Sequence, residues 1–386
     1  MMQRRQHLAA LASVLVAGRV QAQGDGVKIG VILPMTGPQA STGRQIDAAV
    51  KLFMAQNGAK VAGRKLEVIV KDDAGVPDTT RRLAQELVVN DKVAVIAGFG
   101  LTPCALAAAP IATQSKTPLV VMAAGTSSIT EASPFVTRTS VTLPQVAVGM
   151  AEWSNKNGIK KVMTLVADYG PGIDAEKFYA DRVTLNGGNV LEKLRTPLRS
   201  PDFAPVLQKV RDNKPDALFV FLPSGQGAQF MKQFAERGLD KLGVRLIGSG
   251  EITDDDQLAE IGDVALGIVT AHHYSAAHPS AMNKKFVADF QAMHKFRPNF
   301  MAVGGWDGMR LITKALETTK GAGGEPLMAA MKGQIWESPR GPVYIDAQTR
   351  DIVLDMYIRK VEKVNGQLWN VEFDAIKQLK DPGKSK

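Results

Sequence analysis

A chain of 386 residues, 45% hydrophobic and 22% charged, is long enough for two domains with sizeable cores, and its balance excludes a fibrous or disordered protein. The formal net charge of +9 is dispersed, without the Lys/Arg block expected of a nucleic-acid binder. A single cysteine, Cys104, excludes an internal disulfide.

The first residues, MMQRRQHLAALASVLVAGRVQAQ, carry Arg4 and Arg5, an uncharged run of 11 residues from Leu8 to Gly18, and the small-residue cleavage site Val20-Gln21-Ala22. Residues 1–22 therefore read as a secretory signal peptide. A membrane anchor would need ~20 apolar residues. Cleavage removes three arginines and no acid, taking the formal charge from +9 to +6, and the mature chain is expected outside the cytoplasm.

The mature part opens with the strand VKIGVIL and a turn, PMTGPQASTG, able to reach over a site. A helix follows with Ile46, Ala49, Val50 and Phe53 at helical spacing, then the strand LEVIVKDD and a helix capped by Asp78. The stretch Val93 to Ser127 holds two strand-and-loop units. They are VAVIA with the loop GFGLTP, and PLVVM with the loop AAGTSS, separated by a helix with Thr102 as N-cap and Pro103 at its first position. Both loops leave the carboxyl ends of neighbouring parallel strands, where unpartnered N–H groups favour an anion. Strand starts near 66, 93 and 118 have the spacing of βα units.

The pattern pauses at Leu143-Pro144 and resumes with strands near 161, 189, 217 and 244, so a second parallel sheet is expected rather than one very wide sheet. After LGIVTAHHY come helical segments at 279–296 and 301–320. The strands RGPVYID, IVLDMYIRKVEKV and NGQLWNVEF follow, the last two joined by a hairpin at Asn365-Gly366. The expected fold is α/β: two doubly wound lobes, residues 27–142 plus 274–347 and residues 143–273 plus 348–378. The chain would cross between them three times, near 142, 273 and 348, and residues 379–386 would form a flexible tail.

Six stretches in this order, VKIGVILPMTGPQASTG, KDDAGVPDTTRRLAQELV, VIAGFGLTPCALAAAP, RTSVTLPQ, VADYGPG and WDGMRLI, resemble periplasmic solute-binding proteins of branched-chain amino-acid ABC importers. The resemblance runs from about Val27 to Phe373. It implies two lobes on a three-stranded hinge, closing on a small carboxylate that is delivered to a membrane permease. It also carries site residues over. The family's first ligand loop falls on Leu101 to Pro103, with Thr102 the best match within one position, and the second on Ala124, Gly125 and Thr126. Tyr169 before Gly170, and Pro223 with Ser224, match its second lobe. Two positions depart from the family. Thr42 stands where an aromatic residue often precedes the first glycine. Glu251 lies one position after the place of the acid that holds an amino acid's ammonium. Relatives that bind aromatic or other organic acids keep the carboxylate loops without that partner, so both ligand classes are implied. The ligand-sensing subunit of a receptor can share this fold.

Each of these residues has a plainer role. Thr102 and Thr126 are good helix caps, Tyr169 could pack between lobes, and Glu251 precedes Asp254, Asp255 and Asp256 and so could be one more solvated acid at a helix start. His272 and His273 are adjacent strand residues facing opposite ways, which argues against a shared metal. Gly98-Phe99-Gly100 has Pro103 where a dinucleotide fingerprint needs its third glycine, so no cofactor is expected. No nucleophile-and-base motif is recognisable, so the protein is expected to be a monomeric binder and not an enzyme.

Overall fold

Short apolar runs at βα spacing become strands of two separate sheets. This computed structural model describes residues 26–384, and the expected signal peptide lies outside them. In the first sheet β1 (Val27–Leu33), β2 (Lys60–Val61), β3 (Arg64–Asp72), β4 (Val95–Gly98), β5 (Leu119–Val121) and β6 (Val136–Arg138) take the order β2-β3-β1-β4-β5-β6. The second comprises β7 (Lys161–Ala167), β8 (Asn189–Thr196), β9 (Ala217–Phe221), β10 (Arg245–Ser249), β11 (Val269–His272), β12 (Ile335–Ser338), β13 (Gly341–Ile345), β14 (Ile352–Val364) and β15 (Gln367–Leu379). Its order is β12-β13-β14-β11-β10-β9-β7-β8, with β15 paired to β14. Strands such as β4 and β9, buried at every residue, are covered on both faces, as parallel strands between helix layers must be.

The helices are α1 (Ala40–Asn57), α2 (Pro77–Val89), α3 (Thr102–Ser115), α4 (Leu143–Lys156), α5 (Gly170–Leu185), α6 (Ala204–Asn213), α7 (Gly227–Glu236), α8 (Leu258–Ile261), α9 (Ala281–His294), α10 (Phe300–Thr318) and α11 (Gly324–Met331). In the first lobe α1 packs against α10, where Phe53 meets Trp306 edge-on at 5.5 Å between ring centroids. In the second, α5 covers β9 through Tyr179, stacked on Phe219 at 4.1 Å. Burying one such aromatic stabilises the fold by about 1.5–3 kcal/mol.

In each sheet the strand order reverses beside the first strand, between β1 and β4 and between β7 and β9. Ligand crevices of open α/β sheets form outside the strand ends at such reversals. The segments 139–142, 273–280 and 346–351, where the passages between lobes are expected, join β6 to α4, β11 to α9 and β13 to β14; β12 and β13 extend the edge of the second sheet.

Three local expectations are corrected. Helix α2 begins at Pro77 with Val76 as its cap residue, so Asp78 lies inside the first turn; the buried carboxylate of Asp73 instead accepts from Thr80 at 2.7 Å. Helix α3 begins at Thr102 itself, with Leu101 at the cap position and no side-chain cap, so Thr102 is not an N-cap. The tail expected to be flexible is docked as far as Lys384: Asp381 accepts from Ser127 Oγ at 2.6 Å, and the Lys384 ammonium meets Glu131 at 3.0 Å. The Asn365-Gly366 hairpin forms as read, with φ of 51° and 78° matching the strand twist.

Candidate ligand-binding site

The first-lobe wall starts from an unusual backbone. At the end of β4, Gly98 (φ 108°) and Phe99 (φ 67°) both take positive φ, and a Cβ on Gly98 would stand 2.3 Å from the Ile32 carbonyl oxygen. A phenylalanine there is strained on the order of 1–3 kcal/mol. Its ring is wholly buried, which offsets that cost and anchors the turn. The consequence is that Gly100, Leu101 and Thr102 emerge together at the sheet edge.

The next loop is held from behind by Arg138, fully buried at the end of β6. Its guanidinium donates to the carbonyls of Ala124 (3.3 Å), Thr126 (2.6 Å) and Ser127 (3.0 Å), and to Asp351 at 2.7 Å. With these carbonyls turned inward, the N–H groups of Gly125 and Thr126 find no acceptor among the described residues, and neither does that of Thr102. The hydroxyls of Thr102 and Thr126 are 2.9 Å apart. One donates to the other, which leaves one hydroxyl hydrogen for a ligand.

The second lobe meets this wall head on. Helix α5 begins at Gly170, where a Cβ would stand 2.5 Å from Thr126 Oγ1 and 3.4 Å from Thr102 Cγ2. The amino ends of α3 and α5 thus converge from opposite lobes, and their partial positive charges favour an anion between them. Asp174 on α5 accepts from Ser127 N at 2.9 Å, a contact that joins the lobes.

A small cavity of ≈ 30 Å³ lies between these walls. Thr42, Leu101, Thr102, Ala124, Gly125, Tyr169, Pro223, Ser224 and Glu251 all line it, so the candidate residues of both lobes are brought together; Thr126 stands behind the wall through its hydroxyl contact with Thr102. Part of the cavity lining is apolar. Tyr169 and Phe221 are stacked 20° from parallel, and Leu101, Leu143 and Met301 complete the surround.

Glu251 is not a solvated acid: it is 5% exposed, and its Oε2 has no hydrogen-bond partner among the described residues. Its Oε1 stands 3.6 Å from Nε2 of the fully buried His272. Burial pushes the carboxyl up, yet the facing imidazole, the Ser249 hydroxyl and the residue's own backbone N–H together hold Glu251 below the usual carboxylate range. Burial drives His272 down despite Glu251, so the pair carries one negative charge at neutral pH. Burial, and next the Glu251 charge, push the Tyr169 hydroxyl up, leaving it a neutral donor.

The acids after Glu251 are also inside rather than solvated. Asp254 accepts from Asn299 at 2.8 Å and Asp255 from Asn370 at 3.0 Å. Asp256 crosses to α1 of the other lobe, accepting from Ser41 (3.2 Å), Arg44 (3.0 Å) and Gln45 (3.0 Å). Cys104 is buried beside this region of α3, and burial pushes its thiol up to about 12, which makes it inert. Sequence reasoning weighed His272 only as a metal ligand and missed Arg138, Gln39, Leu143, Phe221 and Met301. The signal for Arg138 was an arginine inside the apolar strand FVTR, a position that demands a buried partner.

A cavity between two doubly wound lobes, lined by strand-end loops from both, defines a two-lobed solute-binding protein. Comparison with known proteins agrees. The model of the family described as periplasmic binding protein matches residues 26–367. The chain is 61% identical to a solute-binding protein of an ABC transporter from Rhodopseudomonas palustris BisB5, whose structure contains 3,4-dihydroxybenzoic acid. The two agree with a TM-score of 0.92 over 94% of this chain and 100% of that one. A solute-binding protein from R. palustris in complex with 4-hydroxybenzoate is 40% identical, with a TM-score of 0.91 over 93% of this chain and 99% of that one. The Leu/Ile/Val-binding protein homolog 6 of Brucella abortus is 40% identical over 97% of this chain and 98% of its own length. The chain belongs to the periplasmic binding protein family and is a solute-binding protein of the ABC-transporter type.

Proposed function

We propose that this protein binds a small aromatic carboxylate between its lobes, outside the cytoplasm, and delivers it unchanged to a membrane permease. The observation that carries this reading is the 61% identity, over almost the whole chain, to a protein whose structure contains 3,4-dihydroxybenzoic acid. The cavity's chemistry supports it: anion-favouring groups at Thr102, Gly125 and Thr126, and a partly apolar lining that includes Tyr169, Phe221 and Leu101. In this reading Thr42, Leu101, Ala124, Pro223 and Ser224 contact the ring, Tyr169 stacks near it, and Glu251 closes the far end. The protein acts as a monomer without catalysis, reaching the periplasm through the signal peptide at 1–22. Residues 27–142 with 274–347, and 143–273 with 348–378, move as two bodies about the three passages.

A branched-chain amino acid is the second reading, favoured by the Leu/Ile/Val-binding relative and by an acid at Glu251. A thermal-shift screen of leucine, isoleucine and valine against benzoate and its hydroxylated derivatives separates the two. A ligand at 100 times its Kd stabilises by about 2.7 kcal/mol, a plain rise in Tm. Hydroxylated benzoates are expected to give that rise. A rise with leucine alone overturns the proposal.

A further inference from the structure

Resting on the reading of the cavity as an aromatic carboxylate site, we propose that Glu251, backed by His272, accepts a hydrogen bond from a ring hydroxyl of the ligand. The cavity thereby selects hydroxylated aromatic carboxylates over unsubstituted ones.

Three observations carry this. Glu251 lines the cavity from the second lobe, while Thr102 and Gly125 line it from the first. Its Oε2 is buried without a hydrogen-bond partner among the described residues, and so are both ring nitrogens of the neighbouring His272. A buried charged acceptor left empty is costly, so the cavity is complete only when its occupant brings a donor there. A ligand carboxylate cannot fill that role, because two anions would then face each other in a dry cleft. The carboxylate must instead lie against the first-lobe loops and the α5 terminus, which leaves the opposite end of the molecule at Glu251.

The donor also has to be carried by a body that suits an apolar lining contributed by Leu101, Leu143, Phe221 and Met301. A phenolic hydroxyl on a flat ring meets both demands: it is neutral at pH 7, with a pKa of about 10, and it donates one hydrogen. The ammonium of an α-amino acid sits beside its own carboxylate, at the wrong end. The depressed Glu251 carboxyl supports this arrangement by keeping the acceptor ionised at neutral pH.

Calorimetric titration of the mature protein with benzoate, 4-hydroxybenzoate, 4-methoxybenzoate and 3,4-dihydroxybenzoate tests the assignment. Wild-type protein is expected to bind both hydroxylated acids roughly tenfold or more tighter than benzoate, the scale of one hydrogen bond to a charged group. The methoxy compound, which has no donor, should bind no better than benzoate. In Glu251→Gln the preference for hydroxylated acids over benzoate should shrink about tenfold. Equal wild-type affinities for benzoate and 4-hydroxybenzoate overturn the proposal, as does a methoxy compound bound as tightly as the phenol, or a variant that loses all four ligands alike. These wild-type titrations decide the matter even if the variant does not fold. Failure of every aromatic acid to bind overturns the underlying reading, and this proposal with it.

Discussion

The hydroxyls of Thr102 and Thr126 show how a residue type acquires a role from its neighbours. Either threonine could cap a helix, but α3 and the turn after Thr126 have no side-chain cap, and the two hydroxyls bond to each other instead. One hydrogen remains to be donated, beside the free N–H groups of Gly125 and Thr126. Thr126→Val removes one of the two hydroxyls, and with it the hydrogen bond that orients the other, without a large change of shape. It is expected to weaken carboxylate binding roughly ten- to a hundredfold, the cost of about 1.5–3 kcal/mol for a charge-assisted hydrogen bond. Titration of the variant with 3,4-dihydroxybenzoate checks this, and unchanged affinity would remove Thr126 from the site.

At the scale of elements, the loops are presented by parts far apart in sequence, and buried arginines join them to the passages between lobes. Arg138 holds the loop after β5 and pairs with Asp351 in the third passage. Arg340 pairs with Asp307 on α10 and donates both to Thr139 O in the first passage, at 2.7 Å, and to His273 Nδ1 in the second, at 2.8 Å. Since His273 must accept there, it is neutral; burial first, and then Arg340, hold it well below its ordinary value, with His272 and Arg359 adding to the effect. The unfolded chain takes up a proton near pH 6.5 that the folded one refuses, so this histidine removes stability as pH falls below about 6.5. Asp254 and Asp255, raised chiefly by burial, act in the opposite sense: they remove stability as pH rises above about 4. The difference between wild type and His273→Gln, whose amide oxygen can still accept from Arg340, isolates the histidine. Melting temperature measured from pH 8 to 5 is expected to fall less steeply in the variant; parallel curves would contradict the assignment.

At the scale of the molecule, local pattern and strand-end chemistry made most of the design legible. Apolar runs at βα spacing gave two sheets because a parallel strand is buried on both faces, and the loops after β4 and β5 were readable as anion-favouring from their place at strand ends. What stayed hidden depends on contacts across long stretches of chain. Nothing local to Arg138 names Asp351, nothing in the acidic run after Glu251 says that Asp256 reaches α1, and the tail looked loose because Asp381 finds Ser127 only in the fold. The contacts of Asp256 with Ser41, Arg44 and Gln45, and of Asp174 with Ser127, join the lobes around the cavity. They are polar and individually modest, so in the proposed closure they form when a ligand fills the cleft and part when it leaves. Small-angle X-ray scattering of the mature protein, alone and saturated with 3,4-dihydroxybenzoate, tests this closure on an aromatic carboxylate most directly. A smaller radius of gyration in the saturated protein is the expected result, and an unchanged radius with binding verified by calorimetry in the same sample would contradict it.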